Sequence, residues 1–191
     1  MRNGELTTIT ENRNKGLSIV VTTLILLVVG VLLAAVVAYY ATNITTTRTN
    51  TEEVRISSPH VWVNSTGAVA AFKVQNIGGK DILLDKIAVR SVETTWNQVY
   101  IYRVPTSTRV SNDMNVTSYD LITGANFTLD GRTYSQITSD VPLISGAELL
   151  VYVKGPSNIQ MDDIGTTVDI GVTTNNAQYL TECNVRSCTY Q

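Results

Sequence analysis

The chain opens on a mixed polar stretch and then turns apolar on every side. Between residues 17 and 41, 21 of 25 positions are apolar, the exceptions being Ser18, Thr22, Thr23 and Gly30. The apolar residues follow no 3.6-residue stripe. The pattern therefore predicts a helix with an apolar medium all round it, and not a surface helix with one buried side. At 1.5 Å per residue this stretch extends about 37 Å, enough to cross a hydrocarbon layer of about 30 Å with some tilt. Tyr39 and Tyr40 stand where an interfacial aromatic belt would begin.

Residues 42–51 are a polar, Thr-rich link that either continues the helix for a turn or runs extended, β-branched Thr weighing against the helix. Beyond it the period falls to two. Residues 60–64, 68–74, 82–89, 99–103, 148–154 and 166–174 read as strands, with turns at 64–67, 76–81, 155–158 and 174–176. The middle, 105–140, is rich in Ser, Thr and Asn and reads as loops with short strands around 117–121 and 126–129. There is no internal repeat. The expected fold class is α+β, a long N-terminal hydrophobic helix followed by an all-β, antiparallel, immunoglobulin-like sandwich without the Cys-Trp-Cys signature of antibody domains.

Composition sharpens this division. The chain has 191 residues, 43% of them hydrophobic, but outside the 17–41 stretch the share falls to roughly 37%. Fourteen basic residues against 16 acidic ones give a net charge of −2, a balance that argues against a nucleic-acid binder, which must neutralise phosphates. Arg2, Arg13 and Lys15 precede the apolar stretch and the first cation after it is Arg48. This bias places the N-terminus in the cytoplasm and everything after Thr42 outside. A cleaved secretory signal fits poorly, because its apolar region should run only 7–15 residues.

The order Asn12-Arg13-Asn14-Lys15-Gly16-Leu17-Ser18, leading at once into the apolar helix and then into a Thr-rich link and a β-rich remainder, resembles the precursors of the archaeal type IV pilin family, which carry a class III signal peptide. The resemblance is specific over the first 50 or so residues and general beyond them. It implies cleavage between Gly16 and Leu17 by a membrane-embedded prepilin peptidase, with Lys15 holding the leader inside. It divides the chain into a leader (1–16), an assembly helix with its link (17–47) and an extracellular β-sandwich (48–191). The position five after the cut is Val21, where bacterial pilins usually have Glu; many archaeal pilins lack that Glu as well. The implied function is a structural subunit of an adhesive pilus. Its implied partners are other copies of itself, the peptidase, an assembly platform and, before assembly, the membrane. An archaellin of the motility filament would share the leader, helix and sandwich; a membrane-anchored extracellular binding module is the alternative from another class. Gly30, Ala34 and Ala38 form a small-xxx-small ladder suited to close helix packing, although such ladders also occur in ordinary membrane anchors.

Little else in the sequence points to chemistry. Cys183 and Cys188 are expected, in an exported domain, to form one local disulfide pinning the tail, worth about 2 kcal/mol in the chain-entropy model. Two cysteines and the lone His60 cannot supply a four-ligand zinc set, and no cofactor or catalytic constellation is expected. Asp162 and Asp163 could join Asn158 around Ca²⁺ or simply sit on a solvated turn. Four Asn-x-Ser/Thr sequons begin at Asn43, Asn64, Asn115 and Asn126, and roughly three would arise by chance from this composition, so their number alone decides nothing. Trp62, Trp96 and the tyrosines read first as packing residues.

Overall fold

The computed structural model describes residues 4–108 and 110–188, with side chains throughout except those of residues 4–17, 48 and 49. The chain divides after Arg48 into two units. The first contains a single helix, α1 (Gly4–Asn50). Its segment Ser18–Thr47 reaches a mean hydropathy of 3.1, is long and apolar enough to cross a membrane, and has none of that window buried.

The Thr-rich link turns out to be helical. The hydroxyls of Thr42, Thr45, Thr46 and Thr47 donate to the carbonyls of Ala38, Ala41, Thr42 and Asn43, four residues back, at 2.8–2.9 Å. Satisfied within the helix in this way, they do not compete with its backbone bonds.

The second unit is a β domain of eleven strands: β1 (Val54–Asn64), β2 (Gly67–Asn76), β3 (Ile82–Val89), β4 (Val92–Glu93), β5 (Val99–Val104), β6 (Asn126–Leu129), β7 (Arg132–Gln136), β8 (Val141–Leu143), β9 (Glu148–Lys154), β10 (Thr167–Thr174) and β11 (Gln178–Ser187). They run in the order β4-β3-β10-β11-β1-β2-β9-β5-β7-β6, with β8 also beside β3. The α+β class is as expected. The pairing is antiparallel except between β1 and β11, which run parallel with Val61 opposite Val185. The eleven strands exceed the seven to nine of immunoglobulin domains.

A continuous path of this length buries apolar surface by forming two layers. Phe72, Val74, Val151 and Val153 from one layer share a core with Leu84, Ile87, Ile170 and Val172 from the other. A one-residue bulge in β1 between Ser57 and His60 controls which residues face that core. Val54 and Ile56 point inward before it, Val61 and Val63 after it, so the inward parity changes from even to odd. Ser58 takes a left-handed conformation there (φ 50°), and Pro59, lacking an N–H, falls where the ladder is already broken.

Strands β2 and β9 are buried on both faces. Their outward residues Val69, Ala71, Leu150 and Tyr152 lie in a second core with Trp62, Tyr100, Met114, Ile122, Phe127 and Tyr134. The cover is residues 105–125, a strap, together with the β6–β7 hairpin. The short strand expected at 117–121 is instead a 3₁₀ turn, Tyr119–Leu121. Strands β4, β7, β8 and β11 were not expected. The hairpin turns on Asp130-Gly131, both with positive φ (51° and 70°), a type I′ geometry that Asp-Gly readily adopts.

Candidate assembly helix and head surface

On α1 the apolar side chains point outward on all faces: Leu26, Leu33 and Val37 are each at least 60% exposed. Residues three and four apart share a helix face, so Gly30, Ala34 and Ala38 line one shallow track. A Cβ built on Gly30 meets no atom within 4 Å, so the track is free to receive another helix closely. The hydroxyls of Thr22 and Thr23 are turned back onto the carbonyls of Ser18 and Val20 (2.8 and 2.9 Å). They therefore add little polarity to the surface. The side chains of Lys15, Gly16 and Leu17, the expected cleavage site, lie outside the described residues. The backbone there belongs to α1, which passes through Gly16 without a break.

On the head, the outer face of the layer containing β2 and β9 holds the strap by its main chain. Lys73, only 4% exposed, donates its ammonium to Val110 O at 3.0 Å and also to Asn112 O. Lys154 donates to Ile122 O and lies 4.4 Å from the centroid of the Tyr119 ring. The hydroxyls of Tyr100 and Tyr152 reach Gly124 O (2.9 Å) and Asn115 O (2.8 Å). Burial raises the phenol pKa of Tyr152, so its proton stays available as a donor. One side-chain pair completes the set. His60, stacked on Trp62 with centroids 5.2 Å apart, places Nε2 2.8 Å from Asp113 Oδ1. Desolvation pushes the Asp113 carboxyl up, but hydrogen bonds from His60 and the Met114 N–H, with the attraction of His60, outweigh it and leave the carboxyl below its ordinary value.

The expected disulfide is corrected. Cys183 and Cys188 are free thiols. Cys183 lies on β11 packed against the first core, and Cys188 is packed against the second, with its Sγ 3.6 Å from Thr117 O. Four of the five intervening steps run along an extended strand, roughly 13 Å of separation, whereas a disulfide needs Cα atoms about 4.4–6.8 Å apart. Burial pushes the Cys183 thiol up to about 11.

Of the groups named for calcium, Asp163 is engaged within the protein: it accepts from the Gln160 N–H (2.9 Å) and from Arg90 Nη1 (2.8 Å), while the Asn158 Nδ2 donates to Arg90 O (3.0 Å) and its Oδ1 is buried without a hydrogen-bond partner. These groups tie the β3–β4 turn, where Arg90 and Ser91 both have positive φ, to the 156–163 loop. Among the described residues no group of three or more His, Cys, Asp or Glu is placed to hold a metal ion.

The four sequons fall in four different settings. Asn43 lies on α1. Asn64 ends β1 at a hairpin tip. Asn115 is on the strap with its partner Thr117 buried at 1% exposure. Asn126 opens edge strand β6, where the next residue, Phe127, is buried and stacked 5.0 Å from Tyr134. The strap fastenings were not foreseen: Lys73 sits inside the apolar pattern of β2 and Lys154 ends that of β9, and a lysine in such a pattern was the available signal. No family profile matches the chain, and no curated protein matches its sequence.

Proposed function

We propose that the chain is a structural subunit of a surface filament of the archaeal type IV pilin kind, with no catalytic role. The observation that carries this reading is the succession of one helix, apolar round its circumference from Ser18 to Ala41, and a β domain with its own core whose first strand begins four residues after α1 ends. A circumference of this kind is compatible first with lipid and then with copies of itself, and about 0.8 kcal/mol per buried CH₂ favours either over water. The track of Gly30, Ala34 and Ala38 supports close packing of such copies. The precursor would rest in the cytoplasmic membrane with the head outside, lose residues 1–16 to a prepilin peptidase, and be drawn into the filament by an assembly platform. Gly16 suits that cut. Within a helix it destabilises by about 0.5–1 kcal/mol relative to Ala, which eases local opening around the scissile bond. The head would form the exposed adhesive exterior.

The test is the N-terminal residue of the native protein in sheared cell-surface filaments. Leu17 in that fraction is the expected result. An intact Met1 confined to the membrane fraction would refute the proposal.

A further inference from the structure

The four sequons are equivalent as sequence and different as chemistry. N-glycosyl transfer needs the Asn carboxamide and the hydroxyl two residues later to be presented together. It also needs the carboxamide nitrogen to give up a proton and attack, although in an ordinary amide its lone pair is delocalised into the carbonyl. Donors aimed at the carboxamide oxygen favour the imidate-like form in which that lone pair is free.

From this geometry we infer that Asn64 is a glycan acceptor of the folded head. Its Oδ1 receives the N–H of Thr66 at 3.1 Å and the N–H of Gly67 at 3.0 Å. Both main-chain donors fall on the oxygen, which leaves Nδ2 as the reacting atom. The Thr66 hydroxyl lies 2.7 Å from both Asn64 Oδ1 and Asp120 Oδ2, and the two acceptors share its one proton and hold it in place at the tip. The β1–β2 connection is a two-residue turn, with Asn64 opposite Gly67, and both Ser65 and Thr66 are exposed.

The other three lack this arrangement. On α1, residues two apart point about 200° away from each other, so Asn43 and Thr45 cannot face one enzyme, and the Thr45 hydroxyl is bonded to Ala41 O at 2.8 Å. Thr117, within the strap, is buried with its hydroxyl turned inward and without a partner, so Asn115 cannot present its sequon while the strap is closed. Asn126 and Thr128 share the outer face of edge strand β6, but the Thr128 hydroxyl lies 3.4 Å from that of its cross-strand partner Thr133, turned to the neighbouring strand and not to the Asn126 carboxamide. In the reaction, Asn64 Nδ2 bonds to the anomeric carbon of a lipid-linked oligosaccharyl phosphate. The bond from that carbon to the phosphate oxygen breaks, the phosphate leaves with the electron pair, and the Nδ2 proton passes to a base of the membrane-bound transferase.

This inference rests on the reading that places the head outside the cell, and one experiment separates the two. Intact cells are shaved with protease, and the released peptides are weighed. Release of head peptides establishes the orientation; no release overturns both readings. Among released peptides, the one containing Asn64 should carry a glycan mass and the one containing Asn115 should not. A bare Asn64, or an occupied Asn115, overturns the inference while leaving the orientation standing. Asn64→Asp keeps an oxygen for the two main-chain donors and so preserves the turn, and it should lose the glycan mass completely. Thr66→Ser should retain occupancy, and Thr66→Val should lower it at least tenfold.

Discussion

The Lys73 ammonium is the most informative single group to remove. It is almost fully buried, its hydrogen bonds go to the carbonyls of Val110 and Asn112, and no carboxylate pairs with it among the described residues. Lys73→Met keeps the length of the stem against the sheet and deletes the charge. Two hydrogen bonds to a charged donor are worth about 3–6 kcal/mol gross, but relieving a desolvated ammonium returns several kcal/mol of that. Asn112 is exposed and Val110 half-buried, so the freed carbonyls can find water once the strap lifts. The net expectation is a global loss of only about 1–2 kcal/mol, with local opening of the strap favoured by a similar amount. In native-state hydrogen exchange of the full chain in detergent, amides of residues 110–115 should exchange on the order of tenfold faster. Amides of β2 and β9 should keep their ranking as the slowest of the head. Unchanged strap protection would show that the lysine does not fasten it. An equal loss over the whole head would show that the strap is not a separately opening unit.

Three further outcomes are expected. The folded-state pKa of Asp113 lies below its ordinary 3.8, so its contribution is present above that value and lost as pH falls through the folded one. Strap exchange, corrected for intrinsic rates, should rise at pH 2.5 relative to pH 5, and Asp113→Asn should abolish the difference; equal pH dependence in both proteins would refute the role. Intact mass should show two free thiols, with Cys183 alkylating slowly at pH 8, where a thiol of pKa near 11 is thiolate in only about one molecule per thousand; a mass two daltons lower would restore the disulfide. Gly78→Ala should destabilise the head by about 1–3 kcal/mol in denaturant titration, because its Cβ would stand 2.5 Å from Thr51 O and 2.6 Å from Glu53 N; an unchanged midpoint would mean that this approach is not tight.

How much of this was legible depended on which interaction decided each element. The apolar helix and the strands 68–74, 82–89 and 148–154 were readable because burial alone specifies them. The first half of β1 was not, because the bulge at Ser57–His60 reverses its inward parity and the alternation breaks at Pro59. β11 was missed for another reason. Its inward positions Tyr179, Thr181 and Cys183 are only half-buried, and the cysteines suggested a tied tail in place of a strand. The β6–β7 hairpin did carry a local signal, Asp130-Gly131 between Leu129 and Arg132, which the polar composition around it masked. The strap lies beyond local reading altogether. Its fastenings are long-range bonds from side chains to main-chain carbonyls, and those carbonyls are the same whatever residues carry them. Asn64 could be identified as a sequon from sequence, but its difference from Asn115 depends on the burial of Thr117.

The place where the chain enters the head has a mechanical consequence. Strand β1 starts at Val54, four residues after α1 ends, and it is an interior strand with β2 on one side and β11 on the other. Tension arriving at Val54 is therefore applied along a strand that is paired with β2 over both halves and with β11 from Val61 to Val63. Its ladder bonds share the load in shear, whereas an edge strand would peel open one bond at a time. The loops at that entrance add a local brace: Ile77 and Gly78 donate their N–H groups to Glu53 O, and Gly79 donates to Thr51 O, at 2.9–3.1 Å. A head whose first strand is held along its length in this way resists a pull at that end by shear and not by peeling.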